Sequence, residues 1–243
     1  MKQIYIIGTG PGKYDGMTLE AVKRIEESDI IIGYTVYTDL LKEIWPDKEF
    51  LSTPMKMEYE RCVLAFEKAN EGNCVSLVCS GDAGVYGLGG LMLTISPQYP
   101  DVNVKTVPGV TAALSGAALM GAPLIHDFAV ISLSDLLTPM EKIEKRLKYA
   151  AIGDFVICIY NPGSKKRADY LSMACEILLK YKSGETPCGI AKNIGREGED
   201  FTILTLNKLK DVKADMFQTI IIGNSMTKVI NGKLVTPRGY KNE

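Results

Sequence analysis

The chain lacks most of the marks that place a protein at once. It has one histidine and one tryptophan in 243 residues. No two of its six cysteines make a CxxC pair, which removes the usual zinc and dithiol patterns. Cys74, Cys79 and Cys158 lie inside apolar strand-like runs, so free thiols in a reducing compartment are expected, and no metal site. Neither charge sign is in excess: 28 Lys and Arg stand against 29 Asp and Glu, for a net charge of −1. That balance argues against a nucleic-acid partner. No apolar stretch reaches the ~18 residues that span a bilayer. The opening MKQIYIIGTG carries an apolar run too short for a signal peptide. The expectation is a soluble cytoplasmic protein with no membrane partner. Internal repeats and low-complexity tracts are missing too.

What is present is an alternation of short apolar runs and longer helical patterns. A 46% hydrophobic composition supports a large core, and the length suits one large domain or two of roughly 120 residues. Strands are expected at 3–8, 29–33, 74–79, 103–107, 128–133, 155–160, 187–192, 201–205 and 217–222. Between them, helical patterns run over 18–27, 36–44, 57–70, 84–95, 138–150 and 165–182, with a small-residue helix after Val107. Thr18 is placed to cap the first of these. Such alternation predicts an α/β protein with parallel or mixed sheets covered on both faces. The segment GAPLIHD at 121–127 joins Gly, Pro and a polar end after a long small-residue helix, which predicts two domains, 1–122 and 123–243.

The chemistry sits at strand ends. VSLVCSGDAGVYG, 75–87, is an apolar strand running into a turn with glycines at 81, 84 and 87 and one carboxylate, Asp82. In open α/β sheets the carboxyl ends of strands are where ligands bind. Asp82 fits a helix N-cap or an acceptor for a ligand's hydroxyl, amine or positive charge. GTGPG at 8–12 resembles a dinucleotide fingerprint, but Pro11 removes a backbone donor a pyrophosphate would need. The second strand, ending in Ile32-Gly33-Tyr34, has no acid for a ribose. It is a tight turn or a wall of some other site. Further strand-end turns are Pro108-Gly109-Val110-Thr111-Ala112-Ala113, Tyr160-Asn161-Pro162 and the polar stretch 191–199, which also reads as a plain hairpin. Asn161, before proline, is expected to be extended.

In order and spacing, GTGPG, GY then TVY, SGDAGVYG, VPGVTAALSGAALMGAPL, HDFAVISLSDLLTP, YNP and TPRGY resemble the tetrapyrrole methylases, the class III S-adenosylmethionine-dependent methyltransferases. The resemblance covers essentially the whole chain. HDFAVISLSDLLTP and TPRGY point to the branch that methylates carbon 17 of the macrocycle, with ring contraction, in cobalamin (vitamin B12) synthesis. One departure is alanine at position 83, where the family usually has proline. It removes a fixed φ and keeps Asp82 and the glycines.

The resemblance implies two α/β domains with mixed sheets, a cofactor cleft between them, and a homodimer. S-adenosylmethionine would be the cofactor and S-adenosylhomocysteine its product. Gly81, Asp82 and Val85 would line its methionine and ribose part, and Thr111 and Ala112 would touch it by backbone and hydroxyl. Tyr160, Asn161 and Ala191 would frame the adenine, with Pro237 closing that pocket. The tetrapyrrole would face Gly10 and Pro11, with Tyr34 and Arg238 also on the substrate side. Lys13, Lys56 and Arg238 are candidates to pair its carboxylates. Tyr14, Tyr34 and Tyr37 stack on the macrocycle or close the core. Ring contraction needs proton transfers, and the lone histidine, His126, is the candidate general acid/base; it is equally suited to a structural place in the hinge. A methylase acting on another ring carbon, or a nucleotide-binding oxidoreductase built on GTGPG, are the competing readings.

Overall fold

The computed structural model describes residues 2–164 and 168–241. Its chain divides into two compact units, Met1–Ala112 and Ala113–Glu243.

The first unit is built on five strands: β1 (Gln3–Gly8), β2 (Ile30–Tyr34), β3 (Glu49–Thr53), β4 (Cys74–Cys79) and β5 (Asn103–Val107). They lie in the order β3-β2-β4-β1-β5, and every pairing is parallel. Each crossover therefore needs a helix. These are α1 (Leu19–Glu27), α2 (Thr35–Ile44), α3 (Glu58–Asn70) and α4 (Gly89–Ile95). Strand alternation sends Ile4, Ile6, Val75 and Leu77 to one face, under Phe66 and Met92. Ile7, Ile31 and Val78 go to the other, under Val22 and Leu41. A sheet buried on both faces explains why these strands read as continuous apolar runs. Thr18 caps α1 as expected, its hydroxyl accepting from Ala21 N at 3.1 Å.

The second unit opens with α5 (Ala112–Met120), whose first residue falls in the unit before, and β6 (Gly121–Ala122). Its main sheet has β7 (Phe128–Ser132), β8 (Val156–Tyr160), β9 (Pro187–Lys192), β10 (Asp200–Thr205) and β11 (Gln218–Ile222), in the order β10-β9-β11-β8-β7. Only β7 and β8 are parallel; the other pairs are antiparallel. Helices α6 (Met140–Ile152), α7 (Tyr170–Leu178) and α8 (Leu206–Leu209) cover one face with Leu147, Leu171 and Leu209. Helix α5 covers the other, where Ala113, Ala117 and Met120 meet Cys158, Ile221 and Leu234. A hairpin of β12 (Lys228–Ile230) and β13 (Lys233–Val235) adds to β6 in a small third sheet. The 121–127 segment thus lies within this unit, with Gly121 and Ala122 paired to Leu234 and Val235.

Several features depart from the sequence reading, the short elements β6, α8, β12 and β13 among them. Strand β3 was not expected; it is one of the sheet's two outer strands, and only Phe50 and Leu51 of its five residues are apolar, so its pattern is weak. Helix α4 starts at Gly89 rather than 84, because residues 82–88 form a turn in which Gly89 N bonds Ala83 O at 2.9 Å. The helix expected over 165–182 is seen as α7, and its first three residues lie outside the described part of the chain.

Candidate cofactor and substrate site

In the first unit, the turns after β1, β4 and β5 lie side by side because their strands do. The order β4-β1-β5 places GTGPG between SGDAG and PGVTA. Main-chain bonds fasten the first two: Gly10 N donates to Gly81 O at 3.0 Å and Gly81 N to Gly10 O at 2.8 Å. Thr9 adds two bonds to Cys79 O, from its amide at 2.8 Å and its hydroxyl at 3.0 Å.

Asp82 fastens the third. Its Oδ2 accepts from Gly109 N at 2.9 Å and its Oδ1 from Gly84 N at 2.8 Å. The three turns are so close that a Cβ on Gly8 would sit 2.6 Å from Gly81 O and 2.8 Å from Gly109 N. Glycine is required there by backbone approach alone. Two of the carboxylate's roughly four lone-pair positions are used, and the half-buried side chain keeps the rest. Ala83 is fully buried, and Gly87 and Gly89 pack on its backbone. Val85 is half-buried beside exposed Tyr86, which is held at φ 55. Across the turn, Thr111 Cα and Ala112 N lie 3.6 and 3.7 Å from where a Gly81 Cβ would be. Glycine and backbone amides therefore line this wall, with one carboxylate at its centre. That donor set suits a ligand bearing hydroxyls and an amine.

Pro11 is half-buried, and Gly10 is sealed against Gly16. Tyr34 ends β2, its ring edge-on to Tyr37 at 5.2 Å. Tyr14 is exposed and tilted against Trp45 at 6.0 Å. Lys13 and Lys56 are exposed.

In the second unit, Tyr160 ends β8 and its hydroxyl accepts from Ala113 N at 2.6 Å, at the start of α5. Asn161 is not extended: its φ is 51. Asparagine tolerates the left-handed region better than other side chains, and Nδ2 holds the turn by donating to Ser132 Oγ at 3.0 Å. Leu133 N closes it on Tyr160 O at 2.9 Å. Ala191 is fully buried as the penultimate residue of β9, paired with Phe201 and Thr219, and its methyl packs towards Gly116. Pro237 is half-buried after the sealed Thr236, and exposed Arg238 donates from Nη1 to Ile125 O at 3.1 Å. His126, next along, is half-buried and makes no hydrogen bond or ion pair among the described residues.

Other chemistry is poorly supplied. Burial pushes the thiols of Cys62, Cys158 and Cys175 up to about 12 and that of Cys79 to about 11. Such thiols are inert as nucleophiles. A cavity of about 910 Å³ opens between β7 and α6, lined by residues such as Lys142, Arg146, Tyr149 and Phe155. None of the expected site residues lines it.

Comparison with known proteins shows the family. Residues 3–210 match the model of the Tetrapyrrole (Corrin/Porphyrin) Methylases. A probable cobalt-factor III C(17)-methyltransferase of Salmonella typhimurium is 46% identical over 97% of this chain and 98% of its own. A precorrin-3B C(17)-methyltransferase of a Sinorhizobium species is 35% identical over 98% and 96%. The crystal structure of the methyltransferase CobJ superposes with a TM-score of 0.89 at 33% identity, covering 97% of this chain and 99% of that one. The chain belongs to the tetrapyrrole methylases.

Proposed function

We propose that this protein methylates carbon 17 of cobalt-factor III or precorrin-3B, with ring contraction, in cobalamin biosynthesis, using S-adenosylmethionine. The observation that carries the reading is the knot of three glycine turns at the carboxyl ends of β4, β1 and β5, fastened through Asp82. The two C(17)-methyltransferase relatives support the ring position. The cobalt-bearing substrate is favoured, because the relative named for it is 46% identical and the one named for precorrin-3B 35%.

S-adenosylmethionine supplies an electrophilic methyl group on a sulfonium. Gly81, Asp82, Val85, Thr111 and Ala112 would hold its methionine and ribose part. Tyr160, Asn161, Ala191 and Pro237 would meet the adenine, Ala191 through its backbone, since its methyl lies in the core. Gly10, Pro11, Tyr34 and Arg238 are proposed for the macrocycle. The chain's task is alignment: fixed turns hold donor and acceptor carbon in line, which by itself removes much of the entropic barrier. His126 is proposed to move a proton during ring contraction, its imidazole having no hydrogen-bond partner among the described residues. A homodimer in the cytoplasm completes the proposal, and sedimentation equilibrium checks the dimer.

The oxidoreductase reading fails on a specific point. The amides of Thr9 and Gly10 are already bonded to Cys79 O and Gly81 O and Pro11 has none, so these three residues of the GTGPG turn offer a pyrophosphate no backbone donor. Calorimetry tests the choice: S-adenosylhomocysteine binds and NAD(P) does not. Binding of NAD(P) alone would overturn it.

A further inference from the structure

The ends of β2 and β3 hold a group that the methyl-donor wall does not use. Arg61, in the first turn of α3, is only 4% exposed. Its Nε donates to Thr53 Oγ1 at 2.7 Å, and Nη2 to Pro54 O at 2.9 Å and Thr53 O at 3.4 Å. Its Cζ lies 6.0 Å from the Tyr34 ring centroid. Tyr34 and Thr53 are register partners, the last residues of their strands. The guanidinium therefore sits at the carboxyl edge of the sheet, roughly 14 Å, or three strand spacings, from the end of β1.

No carboxylate pairs with Arg61 among the described residues. Of the acids beside it in the chain, Glu60 is exposed and makes no ion pair with it, and Glu58 accepts instead from Lys56 N at 3.3 Å. Nη1 makes no hydrogen bond there either. It is not sealed, because Arg24 Nε is the one buried side-chain polar atom without a partner among the described residues. A buried guanidinium without an anion is unfavourable. Two carbonyl oxygens, a hydroxyl and an aromatic ring offset part of that. They also fix its plane and leave Nη1, with two N–H groups, open to an acceptor. A purely structural clamp would have no reason to keep that donor free and that charge unpaired. Lys56, exposed in the same loop and held at φ 71, adds a second cation.

We propose that Arg61, flanked by Tyr34, is a subsite for one carboxylate side chain of the macrocycle. Arginine is the residue whose fixed, planar donors suit a carboxylate. The inference deepens the proposed function and rests on its polycarboxylate substrate.

The probes are uroporphyrin III, a polycarboxylate tetrapyrrole, and its methyl ester, titrated by fluorescence against the full chain. The wild type is expected to bind the acid and not the ester. Arg61→Gln should weaken the acid by about tenfold to a hundredfold, as for a lost charged hydrogen bond. Arg61→Lys should fall between, and both should keep wild-type affinity for S-adenosylhomocysteine. Equal binding of acid and ester, no binding of the acid, or an undiminished folded Arg61→Gln would overturn the subsite. Should Arg61→Gln not fold, a crystal of the wild type with uroporphyrin III decides. A carboxylate oxygen within about 3.2 Å of Nη1 supports the proposal, and a macrocycle with none there contradicts it. If the wild type binds the acid through Arg61 yet transfers no methyl group, the subsite stands and the methyl-transfer reading falls. Active enzyme with unchanged Arg61→Gln binding means the reverse.

Discussion

Asp82 acts on two backbone amides at once, and that is why it stands apart from an ordinary helix cap. Replacing it with alanine leaves the amides of Gly84 and Gly109 without their acceptor, at roughly 1–3 kcal/mol. Thermal melting should register that loss. S-adenosylhomocysteine affinity, read by calorimetry, should fall by at least about tenfold. A variant that melts earlier but binds normally would make Asp82 a scaffold residue only. His126 is tested differently: His126→Ala should permit methyl transfer but slow ring contraction, measured by mass analysis of products against time. Unchanged contraction removes it from the mechanism. The thiols yield a third expectation. Cys74 is the one half-buried thiol of the six, so a disulfide reagent should modify it first, while the five buried ones wait for unfolding. Arg61 shows where residue-level reading stops. An arginine in a polar helical run reads as solvated, and only the fold of β3 brings Thr53 and Pro54 over it.

At the scale of elements, turns carry more of the account than helices. The Asp154–Ser225–Lys182 tie illustrates it. Asp154, at φ 55, accepts from Ser225 N at 3.0 Å and Ser225 Oγ at 2.6 Å, with Lys182 Nζ at 3.5 Å. Partial burial opposes its charge, yet these partners hold its carboxyl below the usual range. A depressed carboxylate contributes stability above its unfolded pKa and loses it as pH falls through the folded value. Asp154→Asn should therefore lower the melting temperature at neutral pH, with the gap to wild type closing in acid. A constant gap at all pH values would contradict this. The strands were legible wherever both faces are buried, as in β1, β4 and β11, because they read as unbroken apolar runs. Strand β3 was not, since only Phe50 and Leu51 of its five residues are apolar. Asn231-Gly232, at φ 50 and 73, carries the asparagine–glycine signal of a tight hairpin; strands of three residues each made it easy to pass over. Asn161 was misread because the rule for residues before proline excludes the right-handed helix more firmly than the left-handed region.

For the whole molecule, the family was legible because its motifs fall at strand ends, where the fold demands glycine and a ligand demands access. Both requirements keep the same residues, so GTGPG, SGDAG and PGVTA are visible in a single sequence. What the motifs do not encode is how they are tied. The bond from Gly109 to Asp82 spans 27 positions, and nothing local announces it. The central claim concerns the reaction, and labelled product analysis reaches it most directly. The protein should be incubated with cobalt-factor III and S-adenosylmethionine carrying a 13C methyl group, and the product examined by NMR. The account predicts one new labelled methyl, attached to carbon 17 of a contracted ring. A label on any other carbon, or no transfer to the macrocycle, would contradict it.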